Sequence, residues 1–348
     1  MSILFAILIF SFLIFIHELG HFITAKLSGV QVNEFSMFMG PAIWKKQKGE
    51  TLYALRCIPI GGYCAMEGEN GDSDNPRAFG RAAWWKRLII LLAGAVMNFV
   101  TGIVLMVIVC MSLQIAVPTI TEIEPTSSLA VEGGFQVGDT FLEIDGEKVE
   151  NHTDFNEILA RNPGEIHDFV VQRGDQTVIL EDFQLTKKLF GTEETPRYGF
   201  TFGTEEAPLG TKLGAAWDNV VYSVEVVWMG LEMILTGQVG LQDMSGPVGI
   251  VQLMGQVADA SATTTDAALN MLYYGGFIAV NLAIMNLLPI PALDGGRVVA
   301  LVLTTSIEAI TKKKINPKYE GYIHGAGMLL LLGLMAVIML KDIIFIFK

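Results

Sequence analysis

From Ile3 to Ile16 the chain carries no charged residue, and this apolar run ends in His17-Glu18-Leu19-Gly20-His21. A helix places residues four apart on one face, so His17 and His21 can ligate one zinc while Glu18, beside them, activates a water at the metal. Ionisable groups near the middle of a spanning helix cost about 3 kcal/mol each. Three of them within five positions need a compensating ligand or a water-filled cavity, so the run is more than an anchor.

The rest of the chain fits a polytopic membrane protein with a soluble part. Hydrophobic residues make up 51% of the 348 positions and the mean hydropathy is +0.47, yet long polar stretches are present. Apolar runs at 2–22, 88–117, 269–288 and 326–347 meet the requirement of about 20 residues per span, which predicts four transmembrane helices. The first basic residue, Lys26, follows the first run, so that run reads as a retained anchor and not as a cleaved signal. Nine Lys or Arg fall in 26–87 and five in 297–318, whereas 116–270 holds seven against 25 Asp or Glu. The positive-inside rule then puts the two basic segments in the cytoplasm and the N-terminus and acidic region outside it, in the cell membrane. The net charge of −13 comes from that outer region, which disfavours nucleic acid as a partner. Cys57, Cys64 and Cys110 form neither a disulfide framework nor a zinc knuckle and read as packing residues.

Four regions follow. Residues 1–117 hold two spans and, at 51–67, a short cytoplasmic hairpin that turns at Gly61-Gly62 and leans on the membrane part. Residues 68–77 are turn formers and read as a mobile loop. Residues 118–188 form a small α+β module, in which Gly133-Gly134-Phe135-Gln136-Val137-Gly138-Asp139 and the Asp145-Gly146 turn resemble a bacterial PDZ domain. Residues 189–268 read as a linker followed by an amphipathic helix on the outer membrane surface, because Asp218, Glu225 and Glu232 recur every seven residues on one face; a fifth span is the alternative there. Residues 269–348 supply the last two spans.

Two histidines leave a zinc under-coordinated. His152 and His167 lie in the outer module and His324 begins the last span, so Asp294 is the better third ligand. It follows Pro289 and Pro291, which break the third helix, and broken backbone at membrane depth is tolerated only where protein or water surrounds it.

His17–His21, the Asn286-to-Gly296 segment, the PDZ-like insert and Ser245-Gly246-Pro247-Val248-Gly249, in that relative arrangement, resemble the site-2 protease family of intramembrane zinc metalloproteases, in its bacterial branch with four spans and one PDZ domain. The resemblance implies His17, His21 and Asp294 as zinc ligands, Glu18 as catalytic base, and Asn286, Pro289 and Pro291 along the substrate path. It also implies a membrane-reentrant β element around Tyr53–Glu67, with Gly61, Gly62 and Tyr63 meeting substrate. Single-span membrane proteins, such as anti-sigma factors or remnant signal peptides, are then the substrates, cut within the lipid bilayer. Ala93-Gly94-Ala95 departs from relatives that often have proline at the third position, and is expected to lie far from the zinc.

On this reading a substrate helix is opened locally and held as a strand along the hairpin edge, with Asn286 donating to it. Inter-helix bonding is the competing role for Asn281 and Asn286. The PDZ-like module either binds a new peptide C-terminus left by a first cut or excludes substrates with bulky outer domains. Two other classes compete with the enzyme: a PDZ-bearing membrane scaffold would not need Glu18, and a metal transporter would repeat its ligand pairs along several helices.

Overall fold

A computed structural model describes residues 2–346 except 70, 72, 125–126, 128, 130–133, 150–151, 190–195, 241–245, 247–248, 250–251, 253, 258–259, 262 and 313–317. Of the motif residues named above, Gly133, Ser245, Pro247 and Val248 lie outside the described set. The chain divides into two compact units, one of Met1–Met111 with Leu213–Lys348 and one of Ser112–Lys212.

The first unit is helical, with one two-stranded sheet. Helices α1 (Ser2–Ser28), α2 (Trp84–Cys110), α5 (Thr264–Leu287) and α7 (Lys318–Ile346) each contain a stretch of 22 to 27 residues apolar enough to cross a membrane. At about 1.5 Å per residue, even 22 residues reach the roughly 30 Å of a hydrocarbon core. Small residues let these helices close up. A Cβ on Gly20 of α1 would lie 2.5 Å from the Ala93 carbonyl oxygen of α2, and one on Gly102 of α2 would lie 2.7 Å from Val280 Cγ2 of α5. Backbone approach of this kind is how spans gain packing without a hydrophobic driving force between them.

Helix α5 begins at a Thr263 cap that accepts from the Asp266 amide, and it stops at Leu287. Pro289 and Pro291 cannot extend it, since each lacks an amide proton and clashes with the preceding turn. The chain turns through Ala292, at φ +82°, and starts a further helix, α6 (Asp294–Thr311). Helix α7 braces this turn: the Ala292 amide donates to His324 Nδ1 at 3.0 Å, and Gly327 leaves no room for a side chain against Pro291. Lower on α7, Asp342 accepts from the amides of Gly246 and Gly249 at 2.9 and 3.1 Å.

Strands β1 (Val32–Lys48) and β2 (Thr51–Met66) are longer than a 51–67 hairpin, and their turn differs from the expected one. The chain reverses at Gly49, φ +62°, whereas Gly61 and Gly62 lie inside β2. Phe35 is paired with both Cys64 and Tyr53, so β2 flanks β1 twice, and Gly61, at φ +76°, lies where β2 folds across. Arg56 gathers the sheet's polar groups, donating to Ser36 Oγ, the Gly40 carbonyl, Glu34 and Tyr63 Oη at 2.6–2.8 Å. Phe35, Cys64 and Met66 pack with Ala25 of α1, Ile90 and Leu91 of α2 and Leu301 of α6. The turn formers after the sheet are anchored: Ser73 Oγ donates to Glu67 at 2.6 Å, Asn75 to Gln31 at 2.8 Å, and Glu69 pairs with Arg297 of α6.

Helix α4 (Leu209–Leu235) keeps Asp218, Glu225 and Glu232 exposed. Ala216 and Val220, on its buried stripe, pack with Met106 and Cys110 of α2 and Val280 of α5. Among the described helices α4 is not one of those apolar enough to span.

Among the described residues the second unit is an antiparallel sheet with the helix α3 (His152–Arg161). Strands β3 (Gln114–Ile123), β4 (Thr140–Ile144), β6 (Ile166–Arg173), β7 (Gln176–Gln184) and β8 (Phe200–Glu206) run in the order β7-β6-β4-β3-β8, and β5 (Glu147–Lys148) pairs with β4. Asp145 and Gly146, both at positive φ, make the tight β4–β5 turn. Phe135, Phe141, Phe155, Phe169 and Phe200 form the core. Arg173 grips the buried Asp139 with two hydrogen bonds of 2.7–2.8 Å and reaches the Gly134 carbonyl. The unit is wider than 118–188: β8 lies in the stretch expected to be linker and pairs with β3, because Tyr198, Phe200 and Phe202 alternate toward the aromatic core.

Candidate metal centre

Helix α1 projects His17 and His21 from one face, and the restart of the chain at α6 brings Asp294 to them. His17 Nε2 is 3.1 Å and His21 Nε2 3.3 Å from Asp294 Oδ2, and the two Nε2 atoms are 3.2 Å apart. A tetrahedral zinc with bonds of about 2.0 Å separates its ligand atoms by roughly 3.3 Å, so this triangle has the size of one face of such a site.

The donor chemistry agrees. His21 Nδ1 lies 2.8 Å from the Ile90 carbonyl, which can only accept, so Nδ1 carries a proton and the neutral ring offers the lone pair of Nε2 to a metal. Asp294 Oδ2 is buried and receives no hydrogen bond among the described residues. Donor atoms facing one another at 3.1–3.3 Å out of water need a proton or a metal cation between them, and a single cation serves all three at once. Asp294 is the first residue of α6, where the helix dipole favours a carboxylate. Among the described residues this is the one group of three or more His, Cys, Asp or Glu arranged to hold a metal ion.

Helix α2 runs directly beneath the triangle. A Cβ on Gly94 would lie 2.4 Å from His21 Nε2 and 2.8 Å from His17 Nε2. The expectation that Ala93-Gly94-Ala95 lies far from the metal site is therefore corrected: the glycine abuts both imidazole rings of the candidate site, since its missing side chain is what lets α2 pass there. Asn98, one turn further on, is 1% exposed, and its Nδ2 is 3.4 Å from His17 Nδ1. Sequence reasoning missed Ile90, Gly94 and Asn98 as neighbours of the site. Their spacing of four along one apolar helix was the available signal.

The remaining site residues are placed unevenly. Gly62 comes close to Glu18, whose Cγ would be 3.4 Å from a Cβ at that position, so one strand of the sheet passes the base. Gly61 faces Met39. Tyr63 turns its hydroxyl to Arg56, 2.7 Å away, and not to the metal triangle. Asn286 is half-buried near the end of α5, Pro289 is exposed and Pro291 packs on Gly327.

Comparisons with known proteins agree with this chemistry. The profile of Peptidase family M50 matches residues 5–334. A Clostridium perfringens protein whose name contains the words zinc metalloprotease is 36% identical, over 99% of both chains. A similarly named Clostridium acetobutylicum protein is 35% identical over 99% of this chain and 98% of its own. The regulator of sigma-W protease RasP of Bacillus subtilis is 28% identical over 97% of both.

Proposed function

The chain belongs to peptidase family M50 and is a multi-pass membrane zinc metalloprotease that cuts within the membrane, and from that premise we propose the roles of its residues. His17, His21 and Asp294 hold the zinc and Glu18 is the catalytic base. The observation that carries this is the convergence of three ligand atoms, all within 4.8 Å of one another, beside a carboxylate on the same helix. A bound zinc supplies a Lewis acid that polarises a peptide carbonyl and makes water acidic enough to lose a proton near neutral pH. Glu18 takes that proton and returns it to the leaving amine.

A transmembrane substrate hides its carbonyls in helical hydrogen bonds and must be unwound before it can react. The stretch of β2 from Gly61 to Tyr63 passes Glu18 and pairs with β1 on one side. An extended substrate segment adding to its other edge is held by backbone hydrogen bonds, which makes side-chain selectivity weak. Asn286, Pro289 and Pro291 line the approach. The basic segments face the cytoplasm, the N-terminus and the 112–212 unit lie outside, and that unit is PDZ-like, binding a peptide end or excluding bulky outer domains. Because one relative is named for regulating sigma-W, a single-span anti-sigma factor is the substrate class inferred here.

The test is Glu18→Gln in the full chain, with zinc content and cleavage of a single-span reporter in vesicles measured together. The variant retains one zinc and loses cleavage. Cutting at the wild-type rate by a zinc-loaded Glu18→Gln chain would refute the assignment.

A further inference from the structure

The α2 face beneath the metal triangle is organised residue by residue. Ile90, Gly94 and Asn98 are spaced by four and so share one face of the helix. Ile90 takes the Nδ1 proton of His21 on its carbonyl, Gly94 makes room for both rings, and Asn98 meets Nδ1 of His17. Asn98 is almost fully buried, and its amide oxygen has no hydrogen-bond partner among the described residues. A buried amide with an idle acceptor, next to a ring that needs one, is an unusual expense in a spanning helix.

The chemistry of His17 says what the amide is for. A neutral imidazole that offers Nε2 to a metal carries its proton on Nδ1, and that proton needs an acceptor. Asn98 has one acceptor, Oδ1, and a half-turn of the amide brings it to where Nδ2 stands. The other orientation sets two N–H groups against each other. We propose that Asn98 is a positioning residue that accepts the Nδ1 proton of His17 and so fixes the tautomer and tilt of that ligand, the part Ile90 plays for His21. The proposal rests on His17 being a zinc ligand.

Inter-helix packing is the role it competes with, and two substitutions separate them. Asn98→Asp keeps an acceptor and discards the donor; Asn98→Leu keeps the branched four-atom shape and discards both. In the full-length chain in detergent, zinc affinity is read by competition with a chelator, and the d–d spectrum of the cobalt(II)-substituted protein reports the ligand field. Asn98→Leu is expected to bind zinc 10- to 100-fold more weakly with an altered cobalt spectrum, the range typical of lost support behind a ligand. Asn98→Asp is expected to restore wild-type affinity and spectrum. If Asn98→Leu stays within twofold of wild type, or Asn98→Asp is as weak as Asn98→Leu, the positioning role is wrong and the amide only packs. A wild-type chain that takes up no stoichiometric zinc overturns the metal reading itself, and the proposal with it.

Discussion

Gly94→Ala puts a single methyl where the proposed zinc ligands meet. The new Cβ would stand 2.4 Å from His21 Nε2 and 2.7 Å from His17 Cε1, whereas ordinary contact begins near 3.4 Å. Relief requires the rings and α2 to separate by about 1 Å, several times the roughly 0.2 Å that a zinc site tolerates in its bond lengths. The fold itself suffers less. Overpacking costs about 1–3 kcal/mol, and alanine regains about 1 kcal/mol of helix propensity over glycine, so the net loss is about 0–2 kcal/mol. The substitution therefore separates metal from fold: zinc affinity falls at least 100-fold, about 2.7 kcal/mol, while the helices still assemble. Zinc per chain after dialysis against a graded chelator, together with thermal unfolding of the metal-free protein, measures both sides. Gly333→Ala on α7, where a Cβ meets nothing within 4 Å, is the control: it should leave zinc affinity unchanged and should not lower the unfolding temperature. Full zinc occupancy at wild-type affinity in Gly94→Ala would show that the rings do not lie where this geometry puts them.

Two further predictions concern regions away from the metal. Arg173→Ala leaves the fully buried Asp139 carboxylate with, among the described residues, only the Gln136 amide as a partner of its side chain, and losing one member of such a pair costs about 3 kcal/mol. Thermolysin should then cut within 112–212 of the intact chain about two orders of magnitude faster, and unchanged cutting would mean that the pair carries no stability. Glu50 is held at about 2 by hydrogen bonds from Arg77 and Lys26, below its ordinary 4.5. A carboxylate depressed in the folded state contributes above its unfolded value and loses that contribution as pH falls from about 4.5 toward about 2. Unfolding temperatures of wild type and Glu50→Gln should converge across that window, and a gap independent of pH would rule the tether out.

What could be read from the sequence was whatever chemistry is local. His17, Glu18 and His21 are one helical turn of an apolar segment, and Asp294 stands out because two prolines end a span just before it. Contacts between helices are not written that way. Gly94 and Asn98 look like packing residues in α2, and only the crossing of α1 over α2 reveals them as a floor for two imidazoles. The sheet misled for a related reason. A Gly-Gly pair usually marks a reversal, but Gly61 and Gly62 instead let β2 fold back onto β1 and pass close to Glu18, while Gly49 makes the turn. β8 was hidden by its polar surroundings, although the alternation of Tyr198, Phe200 and Phe202 carried a strand signal of period two.

On the proposed assignment, the cost of burying these groups explains why three helices converge on one metal site. Each imidazole and carboxylate at span depth must recover its lost hydration. His21 recovers part through Ile90, and Asp294 through the start of α6, but among the described residues Oδ2 and the two Nε2 atoms face one another. A dication satisfies all of them at once, so its binding free energy is also assembly free energy for α1, α2 and the Pro289–Asp294 turn. Zinc should accordingly raise the unfolding temperature of wild-type protein and do so far less for Gly94→Ala, because the methyl blocks the point at which binding and helix assembly are coupled.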